Sequence, residues 1–292
     1  MTLAPFYIEG IGLLGPGLPS WPAAQPVLRG QTPHAFQLTV LPAPPRLPPA
    51  ERRRAGPVIR LAMAVAEEAI AHAQADPAAL ATVFSSSGGE GSNCHSLCET
   101  LASDNPLLSP TRFTNSVHNA ASGYWHIAVG SRHASTSLCA FDGSFGAGLL
   151  EAAVLMHSDR QPLMLVAYDL PYPEPLNTVR PLPDNFGLAF VLSAQRTARS
   201  IARCEVAPLA GAAMPAPDAC TDPSLEALRT GIPAGAALPL LQAIARADAQ
   251  PRTLTIDYLP TMRLSVVLAG LDAAPAGDAG DASRGAAAHA AA

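Results

Sequence analysis

The chain contains no lysine, and all 18 of its basic residues are arginine. A P-loop needs a lysine that reaches the nucleotide phosphates, and a Schiff base or a Ser-Lys dyad needs a lysine amine. The sequence therefore excludes these three kinds of site. High alanine, proline and arginine content without lysine is typical of a GC-rich genome and carries no functional signal.

Charge is also scarce, since only 14% of the residues are charged and the net charge is −5. Nucleic-acid binding needs clustered positive charge, so no nucleic-acid partner is predicted. No apolar run is long enough for a membrane span, and residues 1–10 lack the pattern of a signal peptide. Five cysteines, an odd number, favour free thiols in a reducing cytoplasm over a disulfide framework. No cofactor is predicted.

Alternating strand and helix patterns predict an α/β domain with a mixed sheet. Strands are expected at residues 6–14, 80–84, 136–141, 163–168 and 186–193, and helices at 57–73, from about 119, and at 143–157. Beyond about residue 207 the pattern weakens, with a loop at 208–222, a helix at 238–247 and a strand at 264–271. The Ala/Gly/Asp-rich residues 273–292 are predicted to be a disordered tail.

One long segment, residues 109–153, carries the most informative pattern. Its features are a Ser-Pro step, a Phe, an Asn-rich helix start, a Gly-x-Arg approach to a strand, and paired alanines in the next helix. The residues concerned are Ser109, Pro110, Phe113, Asn115, Val117, Asn119, Ala120, Ala121, Gly123, Gly130, Arg132, Ala152 and Ala153. Residues 6–17, 47–73 and 180–191 add a first strand with its Gly-Pro turn, an Arg-rich loop and helix, and an Arg-Pro segment.

This pattern resembles the N-terminal half of a β-ketoacyl synthase of the thiolase superfamily. The resemblance implies a thiolase-like half-fold, a mixed five-stranded sheet packed with helices. It predicts a synthase-like domain over residues 1–207, a C-terminal extension packed on it over 208–272, and the tail 273–292. A half-fold should also leave a large apolar face exposed or paired with a partner.

The departures from the family pattern concern its chemistry. Counting forward from Gly130 and back from Ala152 places the nucleophilic cysteine position of the family at Asp142. The family's second half, with two histidines and a Gly-rich loop, has no counterpart here. Synthase chemistry acylates a thiolate and stabilises an enolate with imidazole donors, and neither group is supplied.

These departures resemble two related groups. One comprises the chain-length-factor partners of ketosynthases, and the other the truncated, N-terminal-domain-only homologues of aryl polyene-type gene clusters. The resemblance implies a non-catalytic subunit in a heterodimer with a full-length ketosynthase of fatty-acid or polyketide-type biosynthesis. Contact with acyl carrier protein is a further expectation, for which Arg52–Arg54 is the only basic run, although a solvated loop is the simpler interpretation.

The resemblance also implies an interface that lines the partner's acyl tunnel. Its candidate residues are Phe113, Asn115, His118, Asn119, Tyr124, His126 and Asp142. An amphipathic helix with satisfied polar groups is the alternative for most of them. For Asp142 an N-cap of the next helix is favoured over an ion pair or a dimer contact.

Other functions remain open at this point. An acyltransferase or hydrolase could use Cys139 or Ser144, although a strand cysteine is more often a buried filler and Cys139 should face away from position 142. A binding module for an acyl chain or carrier protein is a third hypothesis. Cys94, His95 and Cys98, with His118, give only a weak zinc pattern, so a helix with half-buried thiols and no metal is predicted. The glycines Gly143, Gly146 and Gly148 favour close helix packing over a phosphate loop.

Overall fold

A computed structural model describes residues 3–211, 214–247 and 250–271 of the chain. The strands within these ranges are β1 (Phe6–Leu14), β2 (Ala81–Ser85), β3 (Ser135–Leu138), β4 (Leu163–Asp169), β5 (Phe186–Ser193), β6 (Ala202–Ala210), β7 (Arg252–Leu259) and β8 (Met262–Ala269). The helices are α1 (Trp21–Leu28), α2 (Pro49–Arg54), α3 (Pro57–Ala73), α4 (Gly91–Leu101), α5 (Pro110–Asn115), α6 (Ala120–Val129), α7 (Ser144–Ser158), α8 (Leu176–Val179), α9 (Pro223–Gly231) and α10 (Leu238–Arg246). Short 3-10 turns occur at Pro77–Ala79 and Pro233–Ala237.

The strands form one mixed sheet in the order β3-β2-β4-β5-β1-β6-β8-β7. Strand β2 runs parallel to β3 and β4, and the other neighbouring pairs are antiparallel. The predicted α/β class is confirmed, but the sheet has eight strands where five were expected. The three added strands, β6, β8 and β7, come from the last part of the chain, whose weak local pattern gave no signal for β6 or β7.

Helix α3 covers one face of the sheet because two glycines of β1 allow its backbone to approach. A Cβ atom at Gly10 would overlap the carbonyl oxygen of Ala69, and one at Gly12 would overlap that of Val65. Buried residues of α3 and α6 pack against the same face of β2, β4 and β5 and form one core layer with it. Trp125 of α6 is among the largest fully buried side chains.

The opposite face is covered by α7, α10 and α1, whose apolar residues form the second core layer. Helix α7 approaches β2 at Gly148, where an added Cβ would lie 2.8 Å from the Cβ of Ser85. This close approach agrees with the prediction from the sequence that the glycines of this segment allow tight packing of the helix. The two layers enclose the sheet and fix the carboxyl ends of β2, β3 and β4 at one edge of the molecule.

Several local predictions needed correction. The sequence predicted a helix only from about residue 119, but Pro110–Asn115 form α5 after Ser109, whose Oγ accepts a hydrogen bond from the N–H of Arg112 at 3.5 Å. The loop predicted from 208 begins only after β6, in which Pro208 pairs with Leu264. The boundary predicted at 207 thus falls inside β6, and the extension continues the same sheet.

The predicted tail, residues 273–292, lies outside the described residues. Among the helices of the described ranges, none is long and apolar enough for a bilayer crossing.

Candidate functional site at the start of α7

Asp142 stands two residues before α7, at the position where the resemblance placed the family's nucleophile. Its carboxylate forms an ion pair with the guanidinium of Arg180, and the side chain is 69% exposed. The N-cap of α7 is Gly143, and no side chain caps this helix. The prediction of an Asp142 N-cap is therefore wrong, because the carboxylate turns towards Arg180 instead of the helix N–H groups.

The residue before it, Phe141, has a left-handed backbone conformation with φ of 52°. Such a conformation is unfavourable for a bulky L-residue and costs about 1–3 kcal/mol where the fold imposes it. The Phe141 ring is 60% exposed and stacks under the Arg180 guanidinium, 3.7 Å from the ring centroid. Arg180 thus holds both the strained aromatic residue and the carboxylate beside it.

Ser144 and Cys139, the two alternative nucleophiles, differ in their surroundings. Ser144 is buried; its Oγ donates to the carbonyl of Phe141 at 2.7 Å and accepts from the N–H of Ala140 at 2.9 Å. This hydroxyl supports the turn before α7. Cys139 follows the end of β3 and is exposed, so the expectation of a buried strand filler is wrong.

Asp169 lies buried at the end of β4, where the charge of Arg180 acts on it. It accepts hydrogen bonds from the backbone N–H of Ser87 at 2.7 Å and of Ala234 at 2.8 Å. Burial raises the pKa of this carboxyl to about 6, against the opposing effect of these hydrogen bonds and of Arg180. Asp169 therefore joins the synthase-like region to the C-terminal extension.

Tyr172 connects Arg180 to the loop at 86–91. Its hydroxyl accepts from Arg180 and lies 2.9 Å from the Oγ of Ser87. On the far side of this loop, an added Cβ at Gly89 would lie 3.1 Å from the His118 ring. The loop thus links the Asp142 region to the segment that contains His118.

A cavity of about 920 Å³ opens between the start of α7, residues 180–182, α9 and the β7–β8 hairpin. The hairpin packs directly on α7, because an added Cβ at Gly143 would overlap the Tyr258 carbonyl oxygen. The cavity is lined by three arginines, Arg180, Arg229 and Arg263, and by two aspartates, Asp142 and Asp257. Among the lining residues that the structure describes there is no Cys, His, Ser or Lys.

The other candidate interface residues fall into two groups. Asn115 and Tyr124 are buried and bonded to each other, with the Tyr124 hydroxyl donating to Asn115 Oδ1 at 3.1 Å. His126 is half-buried, and its Nε2 lies 3.1 Å from Thr82 Oγ1. These three side chains hold internal hydrogen bonds.

Phe113, His118 and Asn119 are exposed, and Phe113 has 64% of its side chain accessible. Exposed apolar residues Val117 and Ile127 lie on the same chain segment. Of the predicted candidates, these exposed residues are the ones placed to meet another molecule.

The weak zinc pattern does not assemble into a metal site in the part of the chain that the structure describes. No group of three or more His, Cys, Asp or Glu side chains occurs there with suitable proximity. Cys94 and Cys98 on α4 are exposed, so the prediction of half-buried thiols is wrong. His95 instead lies 3.2 Å from Glu99 one turn further along α4.

Sequence reasoning missed the charged residues of the cavity. Arg229 donates to Glu226 at 2.7 Å and to Asp257 at 3.2 Å, and Arg263 lies 3.4 Å from Asp257. The Arg229–Asp257 contact joins residues 28 positions apart, and no local motif marks the charged residues of the cavity. Arg180 had a signal, since it begins the Arg-Pro segment noted in the sequence, but that segment was used only as a family marker.

The fold is the α/β scaffold of thiolase-like ketosynthases, and the described lining of the cavity beside α7 contains no thiol. Residues 24–229, more than half of the chain, match the family described as Beta-ketoacyl synthase, N-terminal domain. The chain belongs to this family, and the resemblance seen in the sequence is confirmed. A search among curated proteins found no relative that matches.

Solved structures share the fold over nearly their whole length. A chain of the ketosynthase ApeO in complex with its chain length factor ApeC, from Xenorhabdus doucetiae, is 21% identical, with a TM-score of 0.65 over 89% of this chain and 98% of that one. A chain of the ishigamide ketosynthase/chain length factor is 14% identical, with a TM-score of 0.65 over 91% and 99%. A chain of AntDE:AntF, a type II acyl carrier protein in complex with its ketosynthase bound to the hexaketide, is 10% identical, with a TM-score of 0.69 over 92% and 100%. At these identities the likeness concerns the fold.

Proposed function

We propose that this protein is a non-catalytic β-ketoacyl synthase homologue that forms a heterodimer with a full-length ketosynthase and helps to set the length of its acyl product. The observation that carries the proposal is the composition of the cavity at α7. Its described lining offers no thiol and no imidazole. Condensation needs a thiolate to carry the acyl chain and donors for the enolate oxygen. An arginine-bound aspartate at the nucleophile position meets neither need.

The edge strand β3 supplies a surface for pairing. The N–H groups of Thr82 and Ser86 bond to the carbonyls of Ala134 and Leu138, so residues 134, 136 and 138 face β2. By alternation, the N–H and C=O groups of Ser135 and Ser137 point outwards at the sheet edge. Unpaired edge groups of this kind form ladders with a strand of a partner chain.

Exposed apolar side chains lie on α5, on α6 and on the segment between them, which precede β3 in the sequence. Phe113, Val117 and Ile127 each have about half or more of their side chain accessible. An interface core of aromatic and aliphatic residues beside a pairing strand fits a stable heterodimer. In this arrangement Phe113, His118 and Asn119 would face the partner's acyl tunnel, while Asn115, Tyr124 and His126 hold the segment in place.

Carrier-protein contact and the pathway belong to the same proposal. Arg52 donates to the carbonyls of Pro45 and Leu47, and Arg54 pairs with Glu51 at 3.1 Å. Arg53 is exposed and could meet an acidic partner. One similar structure contains an acyl carrier protein with its ketosynthase, and another contains a chain length factor. An aryl polyene-type or other fatty-acid or polyketide-type pathway in the cytoplasm is the setting we propose. Five free thiols fit that compartment.

The test is purification of the tagged chain from its host, with mass spectrometry and light scattering of what accompanies it. We expect one equivalent of a ketosynthase that retains its own Cys and His residues. The complex should condense malonyl and acyl carrier-protein thioesters, and the chain alone should not. Condensation by the chain alone would refute the proposal. Intact mass after exposure to an acyl thioester, in wild type and Cys139→Ser, tests the alternative of an exposed nucleophile.

Phe113→Ala should lengthen the product by at least one extension cycle, because removal of the exposed ring would deepen the tunnel end. Stability should change by less than about 0.5 kcal/mol, since the side chain is on the surface. Leu38→Ala, which removes another exposed apolar side chain outside the predicted interface, is the control. Mass spectrometry of the carrier-bound product measures the effect, and an unchanged length distribution would remove Phe113 from the tunnel.

A further inference from the structure

A serine and a histidine from distant parts of the chain meet between the start of α9 and the turn after β1. His34 Nδ1 lies 2.7 Å from the Oγ of Ser224, although the two residues are 190 positions apart. On the other side of the ring, His34 Nε2 lies 2.8 Å from the carbonyl oxygen of Pro16. This pair is separate from the cavity beside α7, whose lining includes neither residue.

The two contacts of the imidazole determine its tautomer. A carbonyl oxygen can only accept a hydrogen bond, so Nε2 carries the proton and donates it to Pro16. Nδ1 then has the free lone pair and accepts a hydrogen bond from the Ser224 hydroxyl. The ring of His34 is therefore oriented as a base towards the serine, and a backbone carbonyl fixes that orientation.

Asp222 holds the backbones of both residues in this arrangement. Its Oδ1 accepts from the N–H of Ser224 at 2.8 Å, and its Oδ2 accepts from the N–H of His34 at 3.0 Å. The hydrogen bond from His34 is the main reason why the pKa of the Asp222 carboxyl lies below its ordinary value of 3.8, so the group is charged at neutral pH. A negative charge near an imidazole stabilises the imidazolium that forms when the base takes up a proton.

From this geometry we propose that Ser224 is a nucleophile activated by His34, and that the chain hydrolyses small activated esters through an acyl-serine. A nucleophile and a base within hydrogen-bond reach, with the base oriented by a third group, are the signature of such covalent catalysis. Ser224 is half-buried and its neighbours Thr221 and Pro223 are exposed, which places the start of α9 at the surface. The inference concerns a second activity and does not depend on pairing with a ketosynthase.

The reaction needs only the ester and water. In the first step Ser224 Oγ attacks the ester carbonyl, its proton passes to His34 Nδ1, and the alcohol leaves with that proton. In the second step Nδ1 takes a proton from water, and the hydroxide oxygen attacks the acyl-serine. The carboxylic acid then leaves, and the proton on Nδ1 returns to Ser224 Oγ, which restores the starting state. A surface site has few groups to bind the substrate, so a good leaving group, as in an aryl ester, is required.

The first experiment is labelling of the full chain with an alkyl fluorophosphonate, followed by peptide mass spectrometry. This reagent forms a stable Oγ–P bond with an activated serine and releases fluoride. We expect a phosphonyl adduct at Ser224. Ser20 is the internal control, because it is also half-buried at the start of a helix but its Oγ accepts from the N–H of Ala23 and has no histidine partner among the described residues. Labelling of Ser224 that is absent, or no faster than that of Ser20, would overturn the inference.

The second experiment measures hydrolysis of p-nitrophenyl acetate by variants of the full chain. Ser224→Ala and His34→Gln should each lower the rate above the uncatalysed background at least about tenfold, whereas Ser20→Ala should leave it unchanged. Circular dichroism checks the fold of each variant. The decisive variant is Ser224→Ala, which removes one hydroxyl from a half-buried position, whereas His34 is buried and its loss also affects packing. Equal rates for wild type and Ser224→Ala would refute the proposed nucleophile.

Discussion

Ser137→Pro should weaken the complex with the ketosynthase by about 100-fold or more, while Ser137→Ala should leave it nearly unchanged. The N–H of Ser137 points away from β2, so proline removes a donor at the outer edge of the sheet without breaking the β2–β3 ladder. The ring also occupies the space in which a partner strand would pair. Two effects give the expected weakening of the complex. The lost edge hydrogen bonds contribute about 1 kcal/mol each, and the proline ring clashes with the partner strand.

The alanine variant is a matched control for this comparison. Both substitutions remove the hydroxyl that lies 3.1 Å from the Oγ of Ser122, so any stability change from that contact is common to both. Co-purification and light scattering measure the pairing, and melting of the free chains measures the fold. If Ser137→Pro pairs as well as Ser137→Ala, the partner does not extend this sheet at β3.

The second large effect concerns Asp169 and pH. Its folded pKa of about 6 lies above the ordinary value of 3.8, so the folded state binds the proton more tightly than the unfolded state. The carboxyl therefore contributes most to stability at low pH, and this contribution is lost as pH rises through about 6. We expect the stability advantage of wild type over Asp169→Asn to fall by about 2 kcal/mol between pH 4 and pH 7.

The amide in Asp169→Asn should also lower stability at every pH. The asparagine side chain has an NH₂ group in place of one carboxylate oxygen. This group would face the N–H of Ser87 or of Ala234, so two donors would meet and a buried donor would be left unpaired. Denaturant unfolding at several pH values measures both effects. Asp159→Asn, at the exposed C-cap of α7, corrects for the loss of one negative charge. A wild-type advantage independent of pH would contradict the proposed titration.

The residues around Asp142 connect separate segments of the chain through side-chain contacts. Arg180 connects Asp142, Phe141 and Tyr172, and Asp169 connects the loop at Ser87 to the extension at Ala234. An ion pair therefore holds the start of α7 to a neighbouring segment, and backbone hydrogen bonds hold the end of β4.

Elements with a strong local period were predictable from the sequence. The apolar run of β1 and the strand β5 were predicted with the observed bounds, and α3 was placed from Pro57 by its helical spacing. The family resemblance could also be read from the chain, because many weak matches over residues 5–200 point to the same scaffold. These features depend on residues close in sequence.

Local pattern failed where tertiary contacts outweigh propensity. Strand β6 contains Pro208 and an alanine-rich stretch, yet it forms because β1 and β8 supply pairing on its two sides. Helix α1 contains Pro22 and Pro26, and is held by its buried Trp21 and Leu28. Cys139 is exposed and lies outside β3, because this strand ends at Leu138 and does not continue to the predicted end at residue 141.

The sequence by itself determined the family and the α/β class, because both follow from residue identity and short-range spacing. Only the tertiary structure decided that Asp142 binds Arg180 instead of capping α7, that Asp169 is buried, and that Arg229, Asp257 and Arg263 meet in one cavity. The Asp142–Arg180 pair joins residues 38 positions apart, and the Arg229–Asp257 pair joins residues 28 positions apart. Side-chain direction and burial there are set by contacts between separate segments of the chain, which local sequence does not encode.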